Sequence, residues 1–246
     1  MARARADRAE RAPRGSGQRT DRRHGGRRKP PAPTVLLLVR HGATATTGTE
    51  LPGRASGLHL SDAGRAQAEA VAARIGAPAS TNGRKRRSIA AVYSSPLERT
   101  RETAARIADA TGCQVQVDDG LLELDIGDWT GLDLKAARKR PEWSTIQRYP
   151  SGFTFPGGES FVDMQARIVA CIERLRSAHP GQTIVAVSHA DPIRAAVAHA
   201  MGTHLDLFQR VVISPCSLTA IAYGPGGPMV LTVNSGVDTG AALAPS

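Results

Sequence analysis

Short runs of apolar residues that end in polar side chains recur along this 246-residue chain. Thr34–Val39, Ile89–Tyr93 and Thr183–Val187 are apolar at almost every position, whereas a strand with one face in solvent would alternate apolar and polar residues. Such runs are typical of strands in a parallel sheet that is covered on both faces. Helix-length segments lie between them. The chain therefore predicts an α/β fold, a three-layer sandwich with a mostly parallel central sheet and helices on both faces.

Capping residues mark the helix ends. Ser61 is a good N-cap for a helix that stops near Gly76, and Pro96 opens a second helix, which runs to about Ala110 and is closed by Gly112. An apolar stripe at helical spacing predicts a third helix. The other predicted elements follow from the same signals: helices at Glu159–Ala178, Leu134–Lys139 and Asp191–Met201, and strands at Val115–Val117, Ser217–Tyr223 and Met229–Val233.

The positive charge is concentrated at the N-terminus. Residues 1–33 hold eleven Lys or Arg and three Asp or Glu, so they supply +8 of the net charge of +10. Three interpretations stay open: a solvated disordered arm, a weak non-specific contact with nucleic acid, and a transit peptide, which would be poorer in acidic residues. We expect a basic disordered arm at 1–33, one folded domain at 34–235 and a flexible tail at 236–246.

Two classes of protein are disfavoured by composition. No apolar stretch approaches the roughly twenty residues of a membrane span, so no membrane partner is expected. Cys113, Cys171 and Cys216 lie far apart, without the paired spacing of a zinc site, and their odd number does not suit a disulfide framework. We expect small reduced thiols in a cytoplasmic protein.

Polar side chains follow three of the predicted strands. Arg40-His41-Gly42 follows the first, Ser94 to Arg99 the second, and Ser188-His189 the third of the wholly apolar runs. In open α/β sheets, ligands bind beyond the carboxyl ends of the strands. Two arginines and two histidines at one edge predict an anion pocket, because guanidinium groups match phosphate oxygens and a neutral imidazole is a competent nucleophile.

Hydrolysis of a phosphate ester also needs a group that protonates the leaving oxygen and then activates water. Glu123, in the acidic segment 123–129, is the residue we expect to do this. Asp125, Asp128 and Asp191 are alternatives that the sequence leaves open.

With these motifs in this order, the chain from about Val35 to Val233 resembles the histidine phosphatase superfamily, in its phosphoglycerate mutase-like branch. The segment 51–60 further resembles an actinobacterial subgroup often called probable phosphomutases. Five or six motifs in order are specific for the superfamily and much less specific for a substrate. The matching stretches are 38–44, 60–68, 94–103, 123–131, 158–160 and 187–194.

The resemblance implies a role for each matching residue. His41 would accept the phosphoryl group, while Arg40, Arg99 and His189 would hold the phosphoryl oxygens. Glu123 would be the proton donor. Neither a metal nor a cofactor is expected, because the arginines would neutralise the charge that Mg²⁺ neutralises in other phosphoryl-transfer sites.

Further substrate contacts are predicted, partly where the chain departs from the family pattern. Thr44 stands where the family often has a hydroxyl residue, and Thr47 where it often has Asn. Ala190 replaces the frequent glycine after the second histidine, at the start of a helix whose N–H groups can bind phosphate. Arg54 could reach a carboxylate or second phosphate of the substrate, or it could be a solvated loop arginine.

These observations favour a metal-independent phosphomonoester hydrolase that acts on a small phosphorylated metabolite through a phosphohistidine. A phosphomutase with the same intermediate is the alternative. The short 121–158 segment disfavours it, because the glycolytic mutases have long lid segments. A non-catalytic module that recognises phosphate or binds polyanions is a more distant alternative. The sequence does not determine the oligomeric state.

Overall fold

The computed structural model describes residues 31–77 and 88–236, and its centre is a six-stranded sheet in the order β4-β3-β6-β1-β7-β8. The short strands β2 and β5 form a separate antiparallel pair. The strands are β1 Thr34–Arg40, β2 Glu50–Leu51, β3 Ile89–Ser94, β4 Val115–Val117, β5 Leu132–Asp133, β6 Thr183–Ser188, β7 Leu218–Gly224 and β8 Gly227–Ser235. The α-helices are α1 Asp62–Gly76, α2 Glu98–Thr111, α3 Leu134–Ala137, α4 Trp143–Arg148, α5 Phe161–Ala178 and α6 Ala190–Ala200.

The central strands are parallel, as the apolar runs predict. β1 pairs with β6, β6 with β3, and β3 with β4, all in parallel, whereas β7 and β8 add an antiparallel edge. The register aligns Arg40 with Ser188, the last residues of β1 and β6. The residues that follow these two strands therefore emerge side by side at one edge of the sheet.

Alternate residues of β1 face two separate hydrophobic cores. Leu36 and Leu38 pack in the core that contains the apolar stripe of α5. Leu37 and Val39 pack in the core formed with α1 and α2. Burial on both faces explains why the strand is apolar throughout, and it confirms the three-layer architecture with helices on both sides.

Three helices begin at residues other than those predicted. α2 begins at Glu98, because Ser95 to Leu97 form a bend in which the Ser95 carbonyl accepts hydrogen bonds from the side chains of Ser94 and Thr100. α5 begins at Phe161, with Ser160 as its N-cap. α6 begins at Ala190, so Asp191 lies inside the first turn and is not the cap.

The expected basic arm lies outside the described residues except for 31–33, and so does the expected tail from residue 237. The strands of the described part begin at Thr34 and end at Ser235. Among residues 31–77 and 88–236, no helix combines the length and the apolar character needed to cross a bilayer. The three cysteines are free thiols, two of them buried and Cys113 partly exposed.

Candidate active site

Two buried histidines meet at the carboxyl ends of neighbouring parallel strands. His41 follows β1 and His189 follows β6, and their ring centroids are 5.1 Å apart in an edge-on arrangement. The main chain fixes this approach, because the His41 N–H donates to the Ser188 carbonyl at 3.0 Å. Both rings are almost inaccessible to solvent.

The hydrogen bond of His41 defines its tautomer. Nδ1 lies 2.7 Å from the Gly42 carbonyl oxygen. Because a carbonyl oxygen can only accept, Nδ1 carries the proton, and Nε2 of the neutral ring keeps its lone pair. Burial, followed by the charges of Arg40 and Arg99, lowers the pKa of His41 well below its usual value. At neutral pH the ring is therefore uncharged, which is the state that a histidine nucleophile requires.

Close packing against α1 and α2 holds the loop that carries His41. A Cβ on Gly42 would lie 2.5 Å from the Gly64 carbonyl oxygen, so only glycine allows this approach. The Gly42 N–H donates to Thr103 Oγ1 at 3.2 Å, and the Ala43 N–H donates to Gln67 Oε1 at 2.9 Å. The loop is thus bound at successive residues, which suits a nucleophile that must not drift.

Two arginines flank the histidines. Arg40 Nη1 donates to the Ile213 carbonyl at 2.7 Å, and Arg99 donates to the carbonyls of Gly53 and Ala55 at 2.8 and 3.3 Å. Burial lowers the pKa of both guanidinium groups, against the opposing charge of Glu123. A guanidinium stays charged even so. The surroundings of the two histidines are therefore strongly positive.

Three buried nitrogen atoms of the two arginines and His189 are left without a hydrogen bond to the described chain. Arg40 Nε, Arg99 Nε and His189 Nδ1 have no hydrogen-bond partner within the described part of the chain. Leaving a buried polar group unpaired costs about 1–3 kcal/mol each, so such groups are rare away from binding sites. A phosphate oxyanion is the ligand that two cationic forks and an imidazole would satisfy.

His189 is held by a serine that follows the neighbouring strand β3. Its Nε2 lies 2.9 Å from Ser95 Oγ, and both residues are fully buried. Burial, together with the positive charge around it, lowers the pKa of His189 well below its usual value, so the ring is neutral. This bond occupies Nε2 and leaves Nδ1 on the side of Glu123, whose Oε2 is 4.0 Å away.

Glu123 lies beside His189, with its Oε1 accepting a hydrogen bond from the Leu124 N–H at 2.9 Å. Loss of solvent, and then the negative charge of Asp191, raise the pKa of Glu123 to about 7. A carboxyl with this pKa exchanges a proton readily at neutral pH. The rival carboxylates have other roles: Asp125 pairs with Arg54, Asp191 pairs with Arg194 at 2.9 Å, and Asp128 is exposed.

The remaining predicted residues surround this cluster. Thr44 and Thr47 lie in the turn after His41 and bond to each other, with the Thr44 N–H donating to Thr47 Oγ1 at 2.8 Å. Ala190 is the first residue of α6. Arg54 does not behave as a solvated loop residue. It is bonded to the Glu123 carbonyl and to two carboxylates.

Several residues to which the sequence analysis assigned no role take part in the site. Ser95 binds His189, Thr103 binds the His41 loop, and Glu159 and Arg167 brace the chain at Glu123. Ser95, Thr103 and Glu159 lie within the matching stretches, which is the signal that could have identified them. Arg167 has no such signal, because it is one of several arginines on a helix.

A neutral imidazole, two buried guanidinium groups and a carboxyl with a pKa of about 7 are the groups that phosphoryl transfer by way of a histidine requires. Residues 36–236 match the histidine phosphatase superfamily, branch 1, and the chain belongs to this family. The resemblance inferred from the motifs is thereby confirmed.

Individual relatives are similar over most of the described chain. Phosphoserine phosphatase 1 of Hydrogenobacter thermophilus is 34% identical over 180 residues, which are 70% of this chain and 79% of that protein. A bifunctional protein of Mycobacterium tuberculosis is 34% identical over 204 residues, 82% of this chain. This chain covers only 54% of that protein, about half its length.

Among solved structures, a mycobacterial glucosyl-3-phosphoglycerate phosphatase superposes with a TM-score of 0.71. Its sequence is 26% identical, and the match covers 82% of this chain and 98% of that one.

Proposed function

We propose that this protein is a phosphomonoester hydrolase that acts on a small phosphorylated metabolite through a phosphohistidine on His41. The observation that carries the proposal is the bond from His41 Nδ1 to the Gly42 carbonyl. It leaves the Nε2 lone pair of a neutral ring free for attack, close to the guanidinium groups of Arg40 and Arg99, whose charges help to lower the pKa of that ring. Arg40, Arg99 and His189 bind the phosphoryl oxygens, with Thr44, Thr47 and the Ala190 N–H as further donors.

In the first step, His41 Nε2 attacks phosphorus, and the bond between phosphorus and the ester oxygen breaks. The protonated carboxyl of Glu123 gives its proton to that oxygen, so the alcohol leaves as a neutral molecule. Negative charge that develops on the equatorial oxygens is stabilised by Arg40, Arg99 and the N–H of His189. The products of this step are the alcohol, a phosphohistidine and the carboxylate of Glu123.

In the second step, water attacks the phosphohistidine. Glu123, now a carboxylate, takes a proton from the water as the bond between nitrogen and phosphorus breaks. Inorganic phosphate leaves, and the site returns to neutral His41 and protonated Glu123. The arginines neutralise the phosphoryl charge throughout, and the mechanism assigns no step to a metal ion.

Hydrolysis is favoured over phosphomutase activity by two observations. The relatives above include phosphatases for phosphoserine and for glucosyl-3-phosphoglycerate. The 121–158 segment is short, and its two α-helices, α3 and α4, have four and six residues, which leaves little chain to retain a departing product. The three free thiols support a reducing, cytoplasmic setting.

The test is a panel of phosphate esters with purified protein, including phosphoserine and 3-phosphoglycerate, the latter with and without 2,3-bisphosphoglycerate. Phosphate release and product isomers are scored together, with His41→Ala as the control. We expect release from several esters, none from the variant, and no effect of EDTA. Isomerisation without phosphate release would make the protein a mutase. If neither phosphate release nor isomerisation were detected, the alternative of a non-catalytic phosphate-recognising module would be favoured.

A further inference from the structure

Three charged side chains brace the main chain at Glu123. Arg54 Nε and Arg167 Nη2 both donate to the Glu123 carbonyl oxygen, at 2.9 and 3.2 Å. The carboxylate of Glu159 lies between the two arginines and accepts from Arg54 at 2.7 Å and from Arg167 at 2.5 Å. We call these three residues the Glu123 brace: two arginines from distant parts of the chain meet at one carbonyl group, and Glu159 links them.

The brace also fixes the residues on either side of Glu123. Arg167 Nη1 donates to the Leu122 carbonyl at 2.8 Å, and Arg54 Nη1 pairs with Asp125 at 3.3 Å. The Glu159 N–H donates to the Asp125 carbonyl at 2.9 Å. The loop is therefore fastened at positions 122, 123 and 125, so it cannot move without breaking several charge-assisted bonds.

Arg54 is poorly placed to bind substrate as well. All three of its guanidinium nitrogens have protein partners, two of them carboxylates, and only 28% of its side chain is exposed. A second anion would compete with Glu159 and Asp125 for the same donors. Arg54 differs in this from the proposed phosphate ligands Arg40 and Arg99, each of which keeps a buried Nε without a partner in the described chain, as Arg167 also does.

We propose that Arg54 and Glu159 are positioning residues that fix the Glu123 carboxyl for proton transfer by holding the main-chain carbonyl of Glu123. The proposal rests on the proposed function, in which Glu123 protonates the leaving oxygen. Proton transfer requires hydrogen-bond distance, and a displacement of about 1 Å can cost 10²-fold in rate. The brace supplies this restraint from behind the site, without touching substrate.

A leaving-group comparison separates this role from a structural one. Alkyl phosphates need a proton on the leaving oxygen, whereas aryl phosphates with good leaving groups need it far less. We expect Arg54→Met and Glu159→Gln to lower kcat on an alkyl phosphate by roughly 10- to 100-fold, and on p-nitrophenyl phosphate by about threefold or less. Arg54→Lys, which keeps one donor group, should recover part of the alkyl activity.

Two further measurements complete the test. Inhibition by inorganic phosphate should change by less than about twofold, because the phosphate cradle is intact, and Arg54→Met should cause no added loss in a Glu123→Gln background. Arg65→Met is the matched control, because Arg65 also joins a carbonyl, that of Leu60, to a carboxylate, that of Asp62. It should show no leaving-group effect.

The contrary results are distinct. Higher KM for substrates with a second anionic group, at unchanged kcat, would make Arg54 a substrate ligand and overturn the inference. Equal losses on both ester types, or additive losses with Glu123→Gln, would also overturn it. If wild-type protein released no phosphate, the proposed function would fail, and the inference with it. If it released phosphate but Glu123→Gln showed no leaving-group effect, Glu123 would not be the acid, and the inference would fail while hydrolysis through His41 stood.

Discussion

Histidines near the two ends of the parallel strands differ in how completely their ring nitrogens are hydrogen-bonded. At the carboxyl edge, His41 and His189 each have one ring nitrogen bonded to the protein, and His189 Nδ1 is buried without a partner in the described chain. At the other edge, both nitrogens of His179 are bonded, Nε2 to the Tyr93 hydroxyl at 2.8 Å and Nδ1 to Gln182 at 3.0 Å. Satisfied imidazoles stabilise a fold, whereas an unsatisfied buried one indicates a ligand site.

The largest expected effect is at His41. His41→Ala removes the nucleophile, and we expect phosphatase activity to fall by roughly 10⁴- to 10⁶-fold, as for other covalent catalysts. Phosphohistidine should also disappear in a rapid-quench experiment with ³²P-labelled ester. The comparison predicts that His179→Ala, made in parallel, keeps activity within about twofold, since a satisfied structural bond is worth only ~1 kcal/mol. Residual labelling of His41→Ala would place the nucleophile elsewhere.

Next in size is the loss of Glu123. Glu123→Gln keeps the shape of the side chain and removes its proton, so activity on alkyl phosphates should fall by roughly 10²- to 10⁴-fold. Because the acid must be protonated and its pKa is raised to about 7, wild-type kcat/KM should fall as the pH rises through about 7. This fall in kcat/KM at high pH, the basic limb of the pH profile, should be absent in Glu123→Gln.

Asp191 provides the control for that pH dependence. Its charge contributes to the raised pKa of Glu123, so Asp191→Asn should move the basic limb to lower pH. A limb that stays in place in both variants would belong to another group and would remove Glu123 from the acid role. The acidic limb should lie well below pH 6.5, because the pKa of His41 is lowered by burial and by the two arginines.

How far the sequence determines this site depends on the range of the interactions. The strands and the polar residues after them were predictable, because a strand buried on both faces has a wholly apolar run and its end is visible locally. The bracing of Glu123 could not be predicted, because Arg54 and Glu159 are 105 residues apart and no local sequence pattern indicates that they form a pair. For this reason the sequence placed Arg54 at the substrate or in solvent. In the structure its side chain instead binds the Glu123 carbonyl and two carboxylates.

Helix starts show the same limit at short range. The sequence places Asp191 at a cap, but His189 takes the extended conformation of the N-cap and α6 begins at Ala190. Ser188 and His189 are adjacent polar residues, and either could end the strand. The pairing of β6 with β1 and β3, which is a tertiary effect, ends it at Ser188. The identity of the histidines was thus predictable, and their hydrogen-bonded state was not.

The smallest expected effect is at Ser95. Ser95 Oγ lies 2.9 Å from His189 Nε2, and we expect the hydroxyl to donate, which leaves the ring proton on Nδ1, the nitrogen on the side of Glu123 that has no partner in the described chain. Ser95→Ala removes this restraint, and we expect a five- to tenfold loss in kcat, corresponding to about 1 kcal/mol for one hydrogen bond.

The tautomer can be measured directly. ¹⁵N chemical shifts of the His189 ring should show a proton on Nδ1 in the wild type and a mixture in Ser95→Ala, while the His41 ring keeps Nδ1–H in both. Ser95→Thr retains the hydroxyl and should retain the wild-type tautomer. If His189 instead carries its proton on Nε2 in the wild type, Ser95 is an acceptor and Nδ1 has no hydrogen to donate. Phosphate binding must then rest on the two arginines and the other proposed donors, without His189.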